Sequence, residues 1–195
     1  MPRQSRLPRL LPLPLLLALS ATPLAAQAAP TYTVAPVTGL APGGMPYGLN
    51  NAGQVVGYID NAGHQSAYVS KDGATTSLHP ADPNVANSQA HGINESGAVV
   101  GQVSYRNGPT RAAVFSNGSV QVLGTLGGAY SSGNAINAGG QVAGVSGTAD
   151  GGQHAFVTRA DGGLADIDTL GGAAGSDANA INDHGVVTGY IGIDA

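Results

Sequence analysis

The 195-residue chain has seven basic and eleven acidic residues, a formal charge of −4, and only 9% of its residues are charged. Low charge beside a 42% hydrophobic fraction excludes ordinary disorder, which needs high net charge and few apolar residues, and suffices for one domain with a core. The absence of cysteine excludes a disulfide framework, a thiolate nucleophile, Cys-ligated zinc and a lipoprotein anchor.

The first segment has the pattern of an export signal. Arg3, Arg6 and Arg9 precede an apolar run, Leu10 to Leu19, broken by Pro12 and Pro14, and Ala26-Gln27-Ala28 is a small-residue cleavage site. The run is shorter than the about 20 apolar residues of a membrane span, and the arginines are not adjacent, as a twin-arginine route requires. Residues 1–28 therefore read as a signal peptide, and residues 29–195 as a single β-repeat domain without a membrane span. The expected location is extracellular, with the periplasm as the alternative. That mature chain keeps four basic residues, Lys71, Arg106, Arg111 and Arg159, against eleven acidic ones, a charge of −7. With no basic patch, neither nucleic acid nor an anionic membrane surface is an expected partner.

Thr31 to Val34 alternates as a strand does. Val37 to Leu40, followed by Ala41-Pro42-Gly43-Gly44, resembles Val120 to Gly128 and reads as the tail of a repeat whose front is absent. A recurring block begins at Leu49: aliphatic residue, Asn, Gly three after the Asn, Val two later, Gly two further on. Its Asn residues are Asn50, Asn94, Asn137 and Asn182, spaced 44, 43 and 45 apart, and its turn glycines are Gly53, Gly97, Gly140 and Gly185. Asn bonds its own backbone two residues on, and Asn first with Gly fourth suits a type I turn. The block is thus a hairpin bend with β-branched residues after it. Its closing glycine, Gly101 in the second copy, permits a bulge or close backbone approach.

After Asn94 the unit reads as strand Ala98–Ser104, polar loop Tyr105–Thr110, strand Arg111–Phe115, an Asn117-Gly118 type I′ turn, and strand Val120–Leu126. Gly127-Gly128 and Ser131-Ser132-Gly133 then connect to a short strand at Asn134–Ile136. Asp72-Gly73 and Asp161-Gly162 take the Asn117-Gly118 place. Ala67-Tyr68-Val69 and Ala155-Phe156-Val157 match Ala113-Val114-Phe115, and Ile167 to Gly172 matches Leu123 to Gly128 with Asp168 for Gly124. In the first unit Leu78-His79-Pro80 has lost the glycine pair.

Four short antiparallel strands per unit of about 44 residues is the size of a β-propeller blade. The expected fold is all-β: about 3.5 repeated four-stranded antiparallel sheets, propeller-like and incomplete or open. A β-solenoid is the alternative, although its coils have shorter periods and need no Asn-Gly hairpin. The strands add to fifteen, one short of four blades. This suggests a last sheet built from both chain ends, a fragment of a longer array, or open edges that self-associate, and a fragment or open arc fits best.

His154-Ala155-Phe156, Thr125-Leu126-Gly127-Gly128 and the Ile-Asn-x-x-Gly-x-Val-x-Gly block together resemble the HAF family of exported bacterial repeat proteins, over about residues 31–195. The His-Ala-Phe triplet is literal only at 154–156; its other places read Ser66-Ala67-Tyr68 and Ala112-Ala113-Val114. The resemblance implies an extracellular, propeller-like repeat protein and supplies no catalytic residues. Longer members of the family have more repeats.

The candidate chemistry is thin. His64 and His154 fall in similar loops, and His79, His91 and His184 in turns or connectors, without zinc spacing. They read as surface histidines. Asp161, Asp166, Asp168, Asp177 and Asp183 would suit calcium by ligand type, but no calcium-loop motif is present, so no metal or cofactor is expected. A glycosidase needs two carboxyls facing one cleft, and the sole Glu, Glu95, lies in a turn position held elsewhere by Asn51, Ala138 and Asp183. No phosphate loop or nucleophile elbow occurs. The sequons at Asn94 and Asn117 fall on turn residues. The leading reading is an exported, non-enzymatic scaffold that binds an unknown ligand, carbohydrate or protein, through its irregular loops, His79–Gln89, Tyr105–Thr110 and Gly147–Gln153. The alternative is a secreted carbohydrate-active propeller enzyme, or a fragment of one.

Overall fold

Gly- and Asn-rich bends cut the chain into short runs of Val, Ala and Ser, and each run forms a strand. The structure is a computed structural model that describes residues 43–168 and 173–193; the signal segment and the opening strand Thr31–Val34 lie outside these. No helix occurs among the described residues. Strands β1 (Gly44–Leu49), β2 (Val55–Asn61), β3 (His64–Lys71) and β4 (Ala74–Ser77) form one antiparallel meander. The next is β5 (Val85–Ile93), β6 (Val99–Tyr105), β7 (Thr110–Ser116) and β8 (Ser119–Val122). The third is β9 (Gly127–Ile136), β10 (Val142–Thr148), β11 (Gln153–Thr158) and β12 (Leu164–Asp166). A final hairpin pairs β13 (Ala173–Ile181) with β14 (Val187–Ile193). The described residues are therefore all-β, three four-stranded blade-like sheets and a two-stranded hairpin, arranged as an open array.

The blades fan. First strands β1, β5, β9 and β13 contact one another in succession, and no comparable contact joins β4, β8 and β12. Blades 2 and 3 additionally meet through one parallel bridge, Thr110 with Tyr130. The core is distributed between blades, with no single centre. One cluster joins Val56 and Ala67 of blade 1 to Val85, Ala90, Val99 and Phe115 of blade 2. The next joins Val100 and Ala112 to Ile136, Val142 and Phe156. A smaller one joins Ala143 and Ala155 to Ala178.

Two polar ladders cross the same junctions. Asn50 Nδ2 donates to the Asn94 carbonyl (3.1 Å), Asn94 Nδ2 to Asn137 (3.0 Å) and Asn137 Nδ2 to Asn182 (3.1 Å). Each Oδ1 meanwhile accepts the backbone N–H four residues on. Backbone bonds from Gly53, Gly97, Gly140 and Gly185 to the Asn carbonyls close the four turns, each glycine with positive φ. The second ladder is a serine clip. Ser88, Ser131 and Ser176 accept the N–H of Ala67, Ala112 and Ala155 in the preceding blade, at 2.9–3.0 Å.

Several sequence expectations are corrected. The strand expected to run from Val120 to Leu126 ends at Val122, and Gly127-Gly128 and Ser131-Ser132-Gly133 lie inside the ten-residue β9, not in a connector. Crowding explains the small residues: a Cβ on Gly128 would sit 2.4 Å from the Gly147 backbone, and one on Gly133 2.4 Å from Val100. The serine clips align Ala67, Ala112 and Ala155, so the match to Ala113-Val114-Phe115 is one residue out. The expected loop His79–Gln89 is shorter, because β5 starts at Val85. Asn117-Gly118 and Asp72-Gly73 have the paired positive φ of a type I′ turn, but at Asp161-Gly162 only the glycine does. One extra residue there makes a three-residue loop closed by Arg159 and Gly163.

Ala62-Gly63 forms a further turn of the paired type, with Ala62 at φ 51°. Alanine in the left-handed region costs about 1–2 kcal/mol. Ala62→Gly is expected to raise stability by about 0.5–1 kcal/mol once unfolded-chain entropy is counted, read as a higher urea midpoint at unchanged slope.

Candidate functional site

Within each first strand, side chains alternate between two faces. The sixth and fourth residues before the Asn, such as Ser88 and Ala90, are fully buried against the preceding blade. The fifth and third residues lie on the opposite face, along the inner rim of the fan: Met45 and Tyr47, Gln89 and His91, Ser132 and Asn134, Asp177 and Asn179. These positions differ from unit to unit, while those that build the junctions recur.

The rim is a continuous row. Tyr47 stacks on Tyr58 with ring centroids 5.6 Å apart and meets the His91 ring at 5.8 Å. His91 Nδ1 lies 2.9 Å from the Gly133 carbonyl of blade 3, and its Nε2 is 3.2 Å from Gln89 Oε1. Gln89 donates to Gln65 (2.5 Å) and accepts from Gln102 (2.8 Å). Asn134 Nδ2 donates to Asp177 Oδ1 (2.7 Å) and to the Ala178 carbonyl (3.0 Å) in blade 4. Tyr47 is 59% exposed, so its ring is offered to solvent at one end of a track of amides.

Burial and these contacts set the titration. The Tyr58 phenol is raised, first by its hydrogen bond with Tyr47 and then by burial. Burial raises the Asp177 carboxyl against the opposing bond from Asn134. It also lowers His91, only partly offset by the Gly133 carbonyl. The expected surface histidine in a connector is thus a partly buried strand residue that ties two blades together.

The sign of its pH effect follows. A histidine whose folded-state pKa is lowered leaves the unfolded chain to take up the proton first. The contribution is complete above the ordinary value of about 6.5 and declines as pH falls below it. His91→Asn, the residue type of blade 3, is expected to flatten the loss of stability between about pH 7 and 5, checked by urea midpoints across that range. His79, lowered by burial and by Arg106, leaves a residual slope.

The other polar candidates form local networks away from the rim. His154 Nδ1 bonds Asp166 (2.8 Å), and its Nε2 lies 3.8 Å from Asp168 Oδ2. Its pKa is raised, chiefly by the Asp166 bond, so its contribution is full below about pH 6.5 and is lost as pH rises past the raised value. Asp168 accepts from Ser176 Oγ at 3.1 Å, the place that the Gly124 carbonyl and the His79 ring hold toward Ser131 and Ser88. Ser176 is thus clipped between the Asp168 carboxylate and the Ala155 N–H. Asp161 bonds the Gly163 N–H in its own turn, and Asp183 accepts the Ala138 N–H of blade 3. Glu95 accepts from Asn51 N and Nδ2 at 2.7–3.2 Å, which spends the only Glu on a junction. Two clefts of ≈ 480 and ≈ 320 Å³ open at equivalent places between blades 2 and 3 and between blades 1 and 2.

The rim could not be picked out residue by residue from sequence. The available signal was the set of alternating columns upstream of each Asn that do not repeat.

No family model matches this chain, and no curated protein matches it. Among solved structures it is similar to TolB from Acinetobacter baumannii, with a TM-score of 0.47 and 18% identity over 78% of this chain and 33% of that one. The chain thus spans about a third of the length of the solved structure it matches.

Proposed function

We propose that this chain is an exported, non-enzymatic binding scaffold whose ligand is a carbohydrate chain lying along the inner rim. The observation that carries this reading is the exposed Tyr47 ring, stacked on Tyr58 and continuous with the Gln89, Gln102, His91 and Asn134 row. A flat aromatic face receives the C–H face of a sugar while its edge stays wet, and carboxamides offer donor and acceptor together to vicinal hydroxyls. The non-enzymatic part is supported by the use made of the repeat's polar groups. Asn50, Asn94, Asn137, Ser88, Ser131, Ser176 and Glu95 are taken up in blade junctions. Membership of the HAF repeat family and removal of residues 1–28 on export belong to the same proposal, and N-terminal sequencing of the exported protein tests the latter.

A glycan array with the purified chain is the direct experiment. Binding to a polysaccharide class is expected to fall at least tenfold in Tyr47→Ala and in Tyr58→Ala, with the β-sheet circular dichroism unchanged. Selective binding on a peptide or protein array with none to glycans would replace carbohydrate by protein as the ligand. Turnover of a polysaccharide that disappears in Asp168→Asn would defeat the non-enzymatic reading.

A further inference from the structure

The two clefts between blades occupy equivalent places but are filled differently. The serine clips align Ala112 with Ala155, so Ala113 and Phe115 of β7 correspond to Phe156 and Thr158 of β11. In blade 2 the large member of the pair is Phe115, buried beside the Asn117-Gly118 turn in the cluster shared with blade 1. In blade 3 it is Phe156, buried in the cluster shared with blade 2. The place beside the blade 3 turn holds Thr158, whose Oγ1 accepts the Val142 N–H at 2.9 Å. Moving the ring two residues away from the turn leaves space there, and the cleft is ≈ 480 Å³ against ≈ 320 Å³. His79-Pro80-Ala81 also lines the smaller cleft, and among the described residues no counterpart of that segment lines the larger.

The larger cleft has the size of a small-molecule site and a matching division of polarity. Its floor is Val114, Leu123, Ile136 and Val142. Gly139, Gly140 and Gly162 line its blade 3 side with bare backbone, which leaves room for a flat ring. Exposed Arg159, Gln121 and Gln141 edge it. No acidic residue lines it among the described residues, in a chain with eleven acidic residues against seven basic ones. Arg106 and Arg111 spend their guanidinium groups on the Pro83 and Ala129 carbonyls. The Arg159 guanidinium has no hydrogen bond or ion pair among the described residues. Gln141 Oε1 accepts from Asn137, so its Nε2 is left to donate. The smaller cleft has no arginine, and its ionisable side chain, His79, is held by Ser88 Oγ at 2.8 Å.

We propose that the cleft between blades 2 and 3 binds a small aromatic carboxylate, with its ring on the apolar floor and its carboxylate on Arg159. A guanidinium presents two parallel N–H donors to a carboxylate, and the Gln141 amide adds a third. None of these residues belongs to the rim row, so the site is independent of the carbohydrate reading.

The test is calorimetric titration of the purified chain with benzoate, 2-naphthoate and the uncharged 2-naphthalenemethanol, with methyl NMR spectra to locate the probe. At least one of the two carboxylates is expected to bind, and 2-naphthoate at least tenfold more tightly than the alcohol. Arg159→Gln should weaken it at least tenfold and Arg159→Lys by less, while Lys71→Gln, which removes a distant charge, should leave it unchanged. The methyl signals of Leu123, Ile136 and Val142 should shift, and those of Val69 and Leu78 in the smaller cleft should not. Thr158→Phe, which restores the ring found in blade 2, should abolish binding. Should loss of its bond to Val142 unfold that variant, Arg159→Gln carries the test, because Arg159 is exposed. Binding of neither carboxylate overturns the proposal, as do equal affinity for the alcohol, indifference to Arg159→Gln, or an equal loss in Lys71→Gln. Shifts confined to Val69 and Leu78 overturn the assignment to this cleft. Nuclear Overhauser contacts from another segment of the chain to Leu123 and Ile136 without probe would show the cleft already filled, and would also overturn it.

Discussion

Gly101→Ala is expected to unfold this protein or cost at least about 4 kcal/mol, whereas Gly124→Ala should change stability by no more than about 0.5 kcal/mol. A Cβ on Gly101 would lie 1.9 Å from the Gln89 carbonyl oxygen and 2.9 Å from the Ala90 Cα. Both obstacles are backbone of the paired strand, at the bulge between Ala90 and Gly92. No rotamer relieves the clash, so β5 and β6 would have to separate by about 1 Å, and the ladder bonds that join them would fail. Gly57, Gly144 and Gly189 occupy the same place, with corresponding approaches of 1.8–2.0 Å. Alanine at Gly144 should therefore be nearly as damaging. Gly124 has an ordinary φ and nothing within 4 Å of its added Cβ. Urea unfolding of the variants measures the contrast, and equal costs for Gly101 and Gly124 would mean that the strand approach is not what the closing glycine serves.

The second large effect is expected at Asn94. Its side chain donates to Asn137 and accepts from the backbone N–H of Ser96 and Ala98, and the residue is buried. Alanine removes these bonds and leaves a buried carbonyl and turn donors short of partners, a loss of about 3 kcal/mol. Asn182→Ala should cost about 1 kcal/mol, because Asn182 is exposed and its side chain, among the described residues, makes the local bonds to His184 and Val186. The comparison separates the turn role, common to both residues, from the blade-to-blade role, which Asn94 adds. Asn94→Asp keeps the acceptor but points a carboxylate at the Asn137 carbonyl. That variant should be destabilised at neutral pH and recover part of its stability as the pH falls and the acid becomes a donor. Equal losses at positions 94 and 182 would reduce the ladder to a set of independent turns.

The period, the antiparallel strands, the bends at Asn50, Asn94, Asn137 and Asn182 and the tight place at Gly101 were all legible in the sequence. Each rests on interactions within a few residues, where a side-chain amide or a missing Cβ dictates the backbone path. The length of β9 was not legible. Gly127 to Gly133 looks like a connector until Gly147 and Val100, from neighbouring strands, are seen to require small residues there. The roles of His91, Glu95 and Asp168 were hidden for a similar reason, since the partners of each lie in neighbouring blades.

What the sequence determined by itself is a unit: four strands, their hairpins and the order in which they pair. Only the tertiary structure decided what each unit does to the next, namely the Asn ladder, the serine clips and the rim from Tyr47 to Asp177. Contacts between neighbours in the chain are written in local geometry. A bond from Asn50 to Asn94 joins residues 44 positions apart, and it exists only because folding brings two copies of one unit face to face.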